Sequence, residues 1–111
     1  MKCTYEVNCF LVPEAVDDFI NFLDKHANDL LKLDGFLSCD VFSVDDDKNC
    51  PEGCKTVTAT YKLRSKADLD NYFEFHSAKY RAETMELFKD QIKGATRRVL
   101  THIKGYARQD E

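Results

Sequence analysis

The 111-residue chain predicts an α+β fold with the element order β-α-β-β-α-β. Three observations predict it. Residues 2–12 alternate with a period of two, with Cys3, Tyr5, Val7, Cys9 and Leu11 on one side and Thr4, Glu6, Asn8 and Phe10 on the other. That period belongs to a half-buried strand. Two long stretches carry apolar residues every three or four positions, the period of a helix with one buried face. The segments between and after them are short, rich in β-branched residues and bounded by turn formers.

Pro13-Glu14 suits a helix start, because proline fits the first turn and an acid sits well at the positive end. The first helix is expected to run to about Leu33 and to end at Asp34-Gly35, with Gly35 in a left-handed cap. Phe36 to Val44 reads as a second strand and Lys55 to Leu63 as a third, joined by an acidic loop that contains Cys50 and Cys54. That connection is too short for a crossover, so the two strands are expected to be antiparallel. Ser65-Lys66-Ala67-Asp68 resembles a capping box with Ser65 as N-cap. The second helix is expected to reach Phe88 or Gln91, with a break near Lys89-Asp90, and a last strand to span Ala95 to Ile103.

With right-handed crossovers, this order gives a ferredoxin-like sandwich: a four-stranded antiparallel sheet with both helices on one face. Residues 1–104 form the single domain and 105–111 a polar tail. The other sheet face is left bare. Depending on register it carries Phe10, Val12, Phe36, Phe42, Val44, Val99 and Ile103. A bare apolar face calls for a cover, and the economical one is a second copy, so a homodimer packed sheet to sheet is expected.

Composition narrows the function classes. Sixteen basic residues against 20 acidic ones give a net charge of −4, and no basic stripe with interleaved aromatics appears. No nucleic-acid partner is expected. No apolar run approaches the length of a membrane span, and the acidic Glu6 interrupts any signal-like start, so a cytoplasmic location is expected. Cys50 and Cys54 are three residues apart rather than two, which fits neither a redox nor a zinc motif. Asp45-Asp46-Asp47 lacks the spaced ligands of a calcium loop. Phosphate loops and nucleophile elbows are missing, and neither a cofactor nor a metal is expected.

Two histidines occupy positions where a leucine would fit. The first stripe reads Val16, Ile20, Leu23, His26, Leu30 and the second Leu69, Phe73, His76, Tyr80. Both imidazoles are expected to face the space between helices and sheet. There His26 and His76 would supply hydrogen bonds or acid-base chemistry, or sit as satisfied core residues. Tyr80 shares the His76 face and Arg81 flanks it. Arg97 and Arg98 alternate on the last strand, so one of them points toward the helices, where it needs a partner such as a bound anion. The expected ligand set is His26, His76, Tyr80, Arg81 and Arg98, with His76 as base and Tyr80 as electrophilic partner if there is a reaction. His102 shares a strand face with Arg98, but no spacing among the three histidines suggests a metal site.

The run Asp68-Leu69-Asp70-Asn71-Tyr72-Phe73-Glu74-Phe75-His76-Ser77-Ala78-Lys79-Tyr80-Arg81-Ala82-Glu83, the Asp34-Gly35-Phe36 turn and the closing Arg98-Val99-Leu100 resemble a family of short, mostly bacterial domains of unknown function. The resemblance covers roughly residues 3–103 and places the chain in the dimeric α/β-barrel superfamily. That superfamily also holds antibiotic-biosynthesis monooxygenases, haem-degrading monooxygenases and plant polyketide cyclases with a similar histidine in the second helix. The 45–54 loop departs from the pattern as an insertion, and there is no tryptophan, which some haem-degrading relatives use.

Three functions follow as expectations. The first is a module that binds an apolar or aromatic small molecule between helices and sheet. The second is a cofactor-independent monooxygenase or cyclase-isomerase, and the third a structural or interaction homodimer with core histidines.

Overall fold

Alternation in the first strand sets the architecture. In the computed structural model, which describes residues 1–110, β1 (Cys3–Leu11) is flanked on both sides in a four-stranded sheet of order β2-β3-β1-β4. The partners are β2 (Phe36–Val44), β3 (Lys55–Leu63) and β4 (Ile92–Thr101), and every pairing is antiparallel. Tyr5 stands opposite Tyr61 and Val99, Val7 opposite Ala59 and Arg97, and Cys9 opposite Val57 and Ala95. The odd-numbered residues of β1 therefore share a face with those of β3 and β4. That face meets α1 (Val16–Leu30), α2 (Lys66–Phe75) and α3 (Ser77–Phe88). The fold is the expected ferredoxin-like one.

The chain leaves β1 through a single 3-10 turn, Pro13–Ala15, before α1 begins. The buried face of α1 is Phe19, Leu23 and Leu30, while Ile20 is 39% exposed. The inward stripe is thus rotated one position from the one that starts at Val16 and Ile20. At the far end Gly35 adopts φ +87°, as a left-handed cap requires. Its carbonyl accepts from the Arg64 amide at 2.8 Å, which ties the end of α1 to the start of α2.

The α2 start is a capping arrangement. Ser65 Oγ accepts from the Asp68 amide at 3.2 Å and donates to Asp68 Oδ2 at 2.8 Å. The second helical stretch is divided, and the division falls at His76 rather than near Lys89-Asp90. His76 has φ −129° and ψ −33°, outside helical values. Ser77 Oγ donates back to the Phe73 carbonyl at 3.1 Å, a serine bond of the kind that bends helices. β4 begins at Ile92, three residues earlier than expected, and ends at Thr101.

Two core clusters lie on the helix face. One joins Leu30, Phe36, Tyr61, Leu63, Leu69 and Tyr72; the other joins Leu11, Phe19, Leu23, Val57 and Phe88. Val7 packs against both.

The open face is less apolar than expected. Phe36 and Val12 pack with the helix-side clusters instead, and Val99 shares the helix-side parity of Tyr5. The cause at Phe36 is a register irregularity between it and Ser38, which reverses the parity of β2. Ile103 lies beyond β4 and is 91% exposed. Phe42 and Val44 do lie on the open face, 50% and 37% exposed. Phe10 is on it as well but is buried, because Gly94 leaves room for its ring: a Cβ there would lie 3.2 Å from Phe10 Cδ2. The centre of the face is polar. Thr58 Oγ1 donates to Asn8 Oδ1 at 2.5 Å, Asn8 donates to Glu6 at 3.1 Å, and Arg98 Nε donates to Glu6 at 2.7 Å. Part of the face is roofed by the β2–β3 loop, where Asp47 accepts from Thr56 Oγ1 at 2.8 Å.

Candidate functional site: a tyrosine-lined cavity between helices and sheet

Between the two core clusters the helices and sheet do not close completely. They leave a cavity of about 160 Å³. Its floor is Val7 and Cys9 of β1, Val57 and Ala59 of β3, and Ala95 of β4. Phe19, Phe22, Leu23 and His26 form the α1 wall, and Tyr80, Thr84 and Met85 the α3 wall. Tyr5, Tyr61 and Tyr72 close one end. Leu30, Ile92, Arg81 and Arg97 complete the lining. The rings pack against one another: Tyr5 lies 6.3 Å from Tyr61 and 6.2 Å from Tyr72, and Tyr72 stacks on Tyr80 at 6.4 Å.

His26 is held as an aromatic wall residue. Its ring stacks on Phe22 at 5.2 Å and meets the Tyr80 ring edge-on at 5.5 Å. Burial lowers its proton affinity below the ordinary value of 6.5, while the nearby Glu83 carboxylate pulls the other way. A lowered folded-state value means that protonation favours the unfolded chain. The contribution of the neutral imidazole is therefore complete above the ordinary histidine range and is lost as pH falls below it. We expect the melting temperature of the native protein to drop more steeply than that of His26→Gln between about pH 7.5 and about pH 5.5. Parallel curves in a thermal titration would contradict this. Glu83→Gln, which removes the opposing pull, should steepen the native curve.

The other titratable groups in the cavity are set by burial. It pushes the Tyr61 and Tyr72 phenols well up, so both keep their protons and can donate. The positive charges of Arg81 and Arg97 work against burial at Tyr72. Burial also raises the Cys9 thiol, with Arg97 again opposing, which leaves it a packing residue rather than a nucleophile.

Of the residues expected at a site, His26, Tyr80 and Arg81 meet on the cavity wall. His76 does not line it. It sits half-buried at the α2–α3 junction, where its amide caps α2 by donating to the Tyr72 carbonyl at 2.9 Å. The break there removes it from the phase of the Tyr80 stripe. Arg98 does not line the cavity either. Its register opposite Glu6 puts it on the open face, and Arg97, opposite Val7, takes the helix-side position. Being on an edge strand, Arg97 also borders the groove on the open face. His102 is exposed, its amide donating to the Lys2 carbonyl at 2.9 Å. Among the described residues no group of three or more His, Cys, Asp or Glu is placed to hold a metal ion. No helix among them is long and apolar enough to cross a membrane. Phe19, Phe22 and the tyrosines Tyr5, Tyr61 and Tyr72 are lining residues that the histidine stripes did not single out. The 19, 22, 23, 26 spacing and the odd-numbered aromatics of β1 and β3 mark Phe19, Phe22, Tyr5 and Tyr61 as inward-facing, but not as lining a gap; Tyr72 carries no such mark.

No functionally curated protein matches the chain by sequence. Several solved structures share its fold. Rv0793 from Mycobacterium tuberculosis superimposes with a TM-score of 0.69 at 17% identity, over 96% of this chain and 100% of that one. A dimeric ferredoxin-like protein from an uncultured marine organism gives 0.71 at 15% identity, over 94% and 98%. SnoaB from Streptomyces nogalater, described as a cofactor-independent oxygenase, gives 0.70 at 13% identity, over 96% and 98%. At such identities the likeness is one of fold. The sequence itself matches over residues 2–103 the family described as Domain of unknown function (DUF4286), and the chain belongs to that family.

Proposed function

We propose that the protein binds an apolar, aromatic small molecule in the cavity between α1, α3 and the sheet, and does so as a homodimer. One observation carries the reading: the core is interrupted, at the place where His26 and the tyrosines meet, by a space of about 160 Å³. Native cores close such gaps, since each costs packing energy. A cavity of roughly 150 Å³ is enough to hold benzene, so the space matches a single ring. Its walls have the make-up of a small-molecule site, mostly apolar and aromatic with a few polar groups.

The homodimer is supported by the fold neighbour described as dimeric and by the exposed Phe42, Val44 and Leu100 on the open sheet face. A cytoplasmic location accompanies the reading, with all five cysteines present as free thiols. Thermal denaturation against a set of single-ring aromatics tests the binding. A ligand at 100 times its Kd stabilises the folded state by about 2.7 kcal/mol. We expect at least one such compound to raise the melting temperature, and the gain to vanish in Ala95→Phe, whose added ring occupies the cavity floor. A set that leaves the melting temperature unmoved would contradict the reading. Sedimentation should give a dimer that Phe42→Asp dissociates; a native monomer would contradict the assembly.

A second reading is a cofactor-independent oxygenase or a cyclase-isomerase. It is favoured by His26, which burial keeps neutral and thus able to accept a proton, in edge contact with Tyr80 at the cavity wall. In it His26 takes the role of base that His76 was expected to have, and Tyr80 donates to a substrate oxygen. Turnover that survives His26→Ala in a folded protein would contradict this assignment.

A further inference from the structure

The charges around the cavity are one-sided. The chain as a whole is acidic, with 20 Asp and Glu against 16 Lys and Arg. Yet the cavity lining includes two arginines, Arg81 and Arg97, and no carboxylate. Neither guanidinium forms an ion pair or a side-chain hydrogen bond among the described residues. The neighbouring arginines behave otherwise: Arg64 is paired with Asp68 and Arg98 with Glu6. Arg81 comes from α3 and Arg97 from β4, so the two reach the cavity from opposite layers. Both act on the same buried phenol, Tyr72, and Arg97 also acts on the Cys9 thiol in the floor. Both charges are therefore near enough to the cavity to be felt by groups that line it.

From this we infer that the ligand is an aromatic carboxylate: a single ring seated among Phe22, His26 and Tyr80, with its carboxylate held between Arg81 and Arg97. The inference rests on the small-molecule reading above and deepens it. A guanidinium offers paired N–H donors that match the two oxygens of a carboxylate, and such charge-assisted bonds are about twice as strong as neutral ones. Beside an apolar wall the attraction is less screened than in bulk water. Two unpaired cations from opposite layers also orient the ligand, because the anion must lie toward them and the ring away. The Tyr72 phenol, which burial keeps protonated, and the Tyr80 hydroxyl are left to donate to any further oxygen on the ring.

Calorimetric titration of the whole protein with phenylacetate and with phenylacetamide, its neutral counterpart of nearly equal shape, tests the inference. We expect phenylacetate to bind at least tenfold more tightly. That preference should fall in both Arg81→Gln and Arg97→Gln, and survive in Lys48→Gln, which makes the same change of charge in the distant β2–β3 loop. Both arginines are exposed and unpaired, so the variants should fold, and the two-ligand comparison on the native protein stands without them. Equal binding of acid and amide would overturn the inference while leaving the aromatic cavity reading intact. A preference for the acid that neither arginine variant reduces would overturn the assignment to Arg81 and Arg97. Failure of both probes to bind would overturn the cavity reading and the inference with it.

Discussion

Gly35→Ala is expected to destabilise the protein by about 2–4 kcal/mol, from two costs that arise at one atom. Gly35 has φ +87°, where a side chain costs on the order of 1–2 kcal/mol. A Cβ there would also overlap the Asp68 side chain. Asp68 cannot withdraw cheaply. Its carboxylate accepts from Ser65 Oγ and from Arg64 Nε at 3.1 Å, and its amide is the donor that Ser65 caps. Displacing it disrupts the start of α2, and loss of an N-cap alone costs about 0.5–2 kcal/mol. Chemical denaturation of the variant checks the sum. Combining Gly35→Ala with Asp68→Gly should return part of the loss, because the overlap takes in Asp68 Cβ as well as its carboxylate and only glycine removes both, while the φ cost remains. Additive losses in the double variant would contradict the contact.

Leu69→Ala is expected to cost about 2–5 kcal/mol, the range for emptying a leucine from a closed core. Leu69 is fully buried, and it and Tyr72 are the buried residues of α2. The helix is thus seated by two side chains, one of which closes an end of the cavity. We therefore expect Leu69→Ala to weaken aromatic binding as well as stability, through the loosened position of Tyr72. Leu69→Met, which nearly conserves volume, should cost under about 1.5 kcal/mol and leave binding unchanged. A destabilised Leu69→Ala protein that binds as tightly as the native one would show that the Tyr72 end does not contribute.

These positions also show how far the sequence could be read. Gly35 and Ser65-Asp68 were legible because a left-handed cap and a capping box are local and depend on few residues. Their mutual contact was not, because it is set by where α1 ends relative to α2. The element order and the antiparallel pairing of β2 with β3 followed from alternation and connection length. The face assignments on β2 and β4 did not. An irregularity at Phe36/Ser38 reverses the parity of β2, and the choice between Arg97 and Arg98 depends on the pairing of β4 with β1. That pairing placed Arg98 against Glu6 and Arg97 at the cavity. His26 was found because it interrupts an apolar stripe. His76 interrupted one equally well on paper, but the helix turns at His76 itself, and the only local sign was Ser77, whose hydroxyl bonds back to Phe73. Tyr5, Tyr61 and Tyr72 read as ordinary core residues, since nothing in a sequence distinguishes a closed aromatic core from one with a gap.

The most direct measurement of the central claim is a titration of isotopically labelled protein with phenylacetate, followed by amide and side-chain NMR shifts. The account predicts saturable shifts centred on Val7, Cys9, Ala59, Ala95 and His26, the residues that surround the space. Shifts confined to the open sheet face around Thr58 and Arg98, or none at millimolar probe, would contradict it.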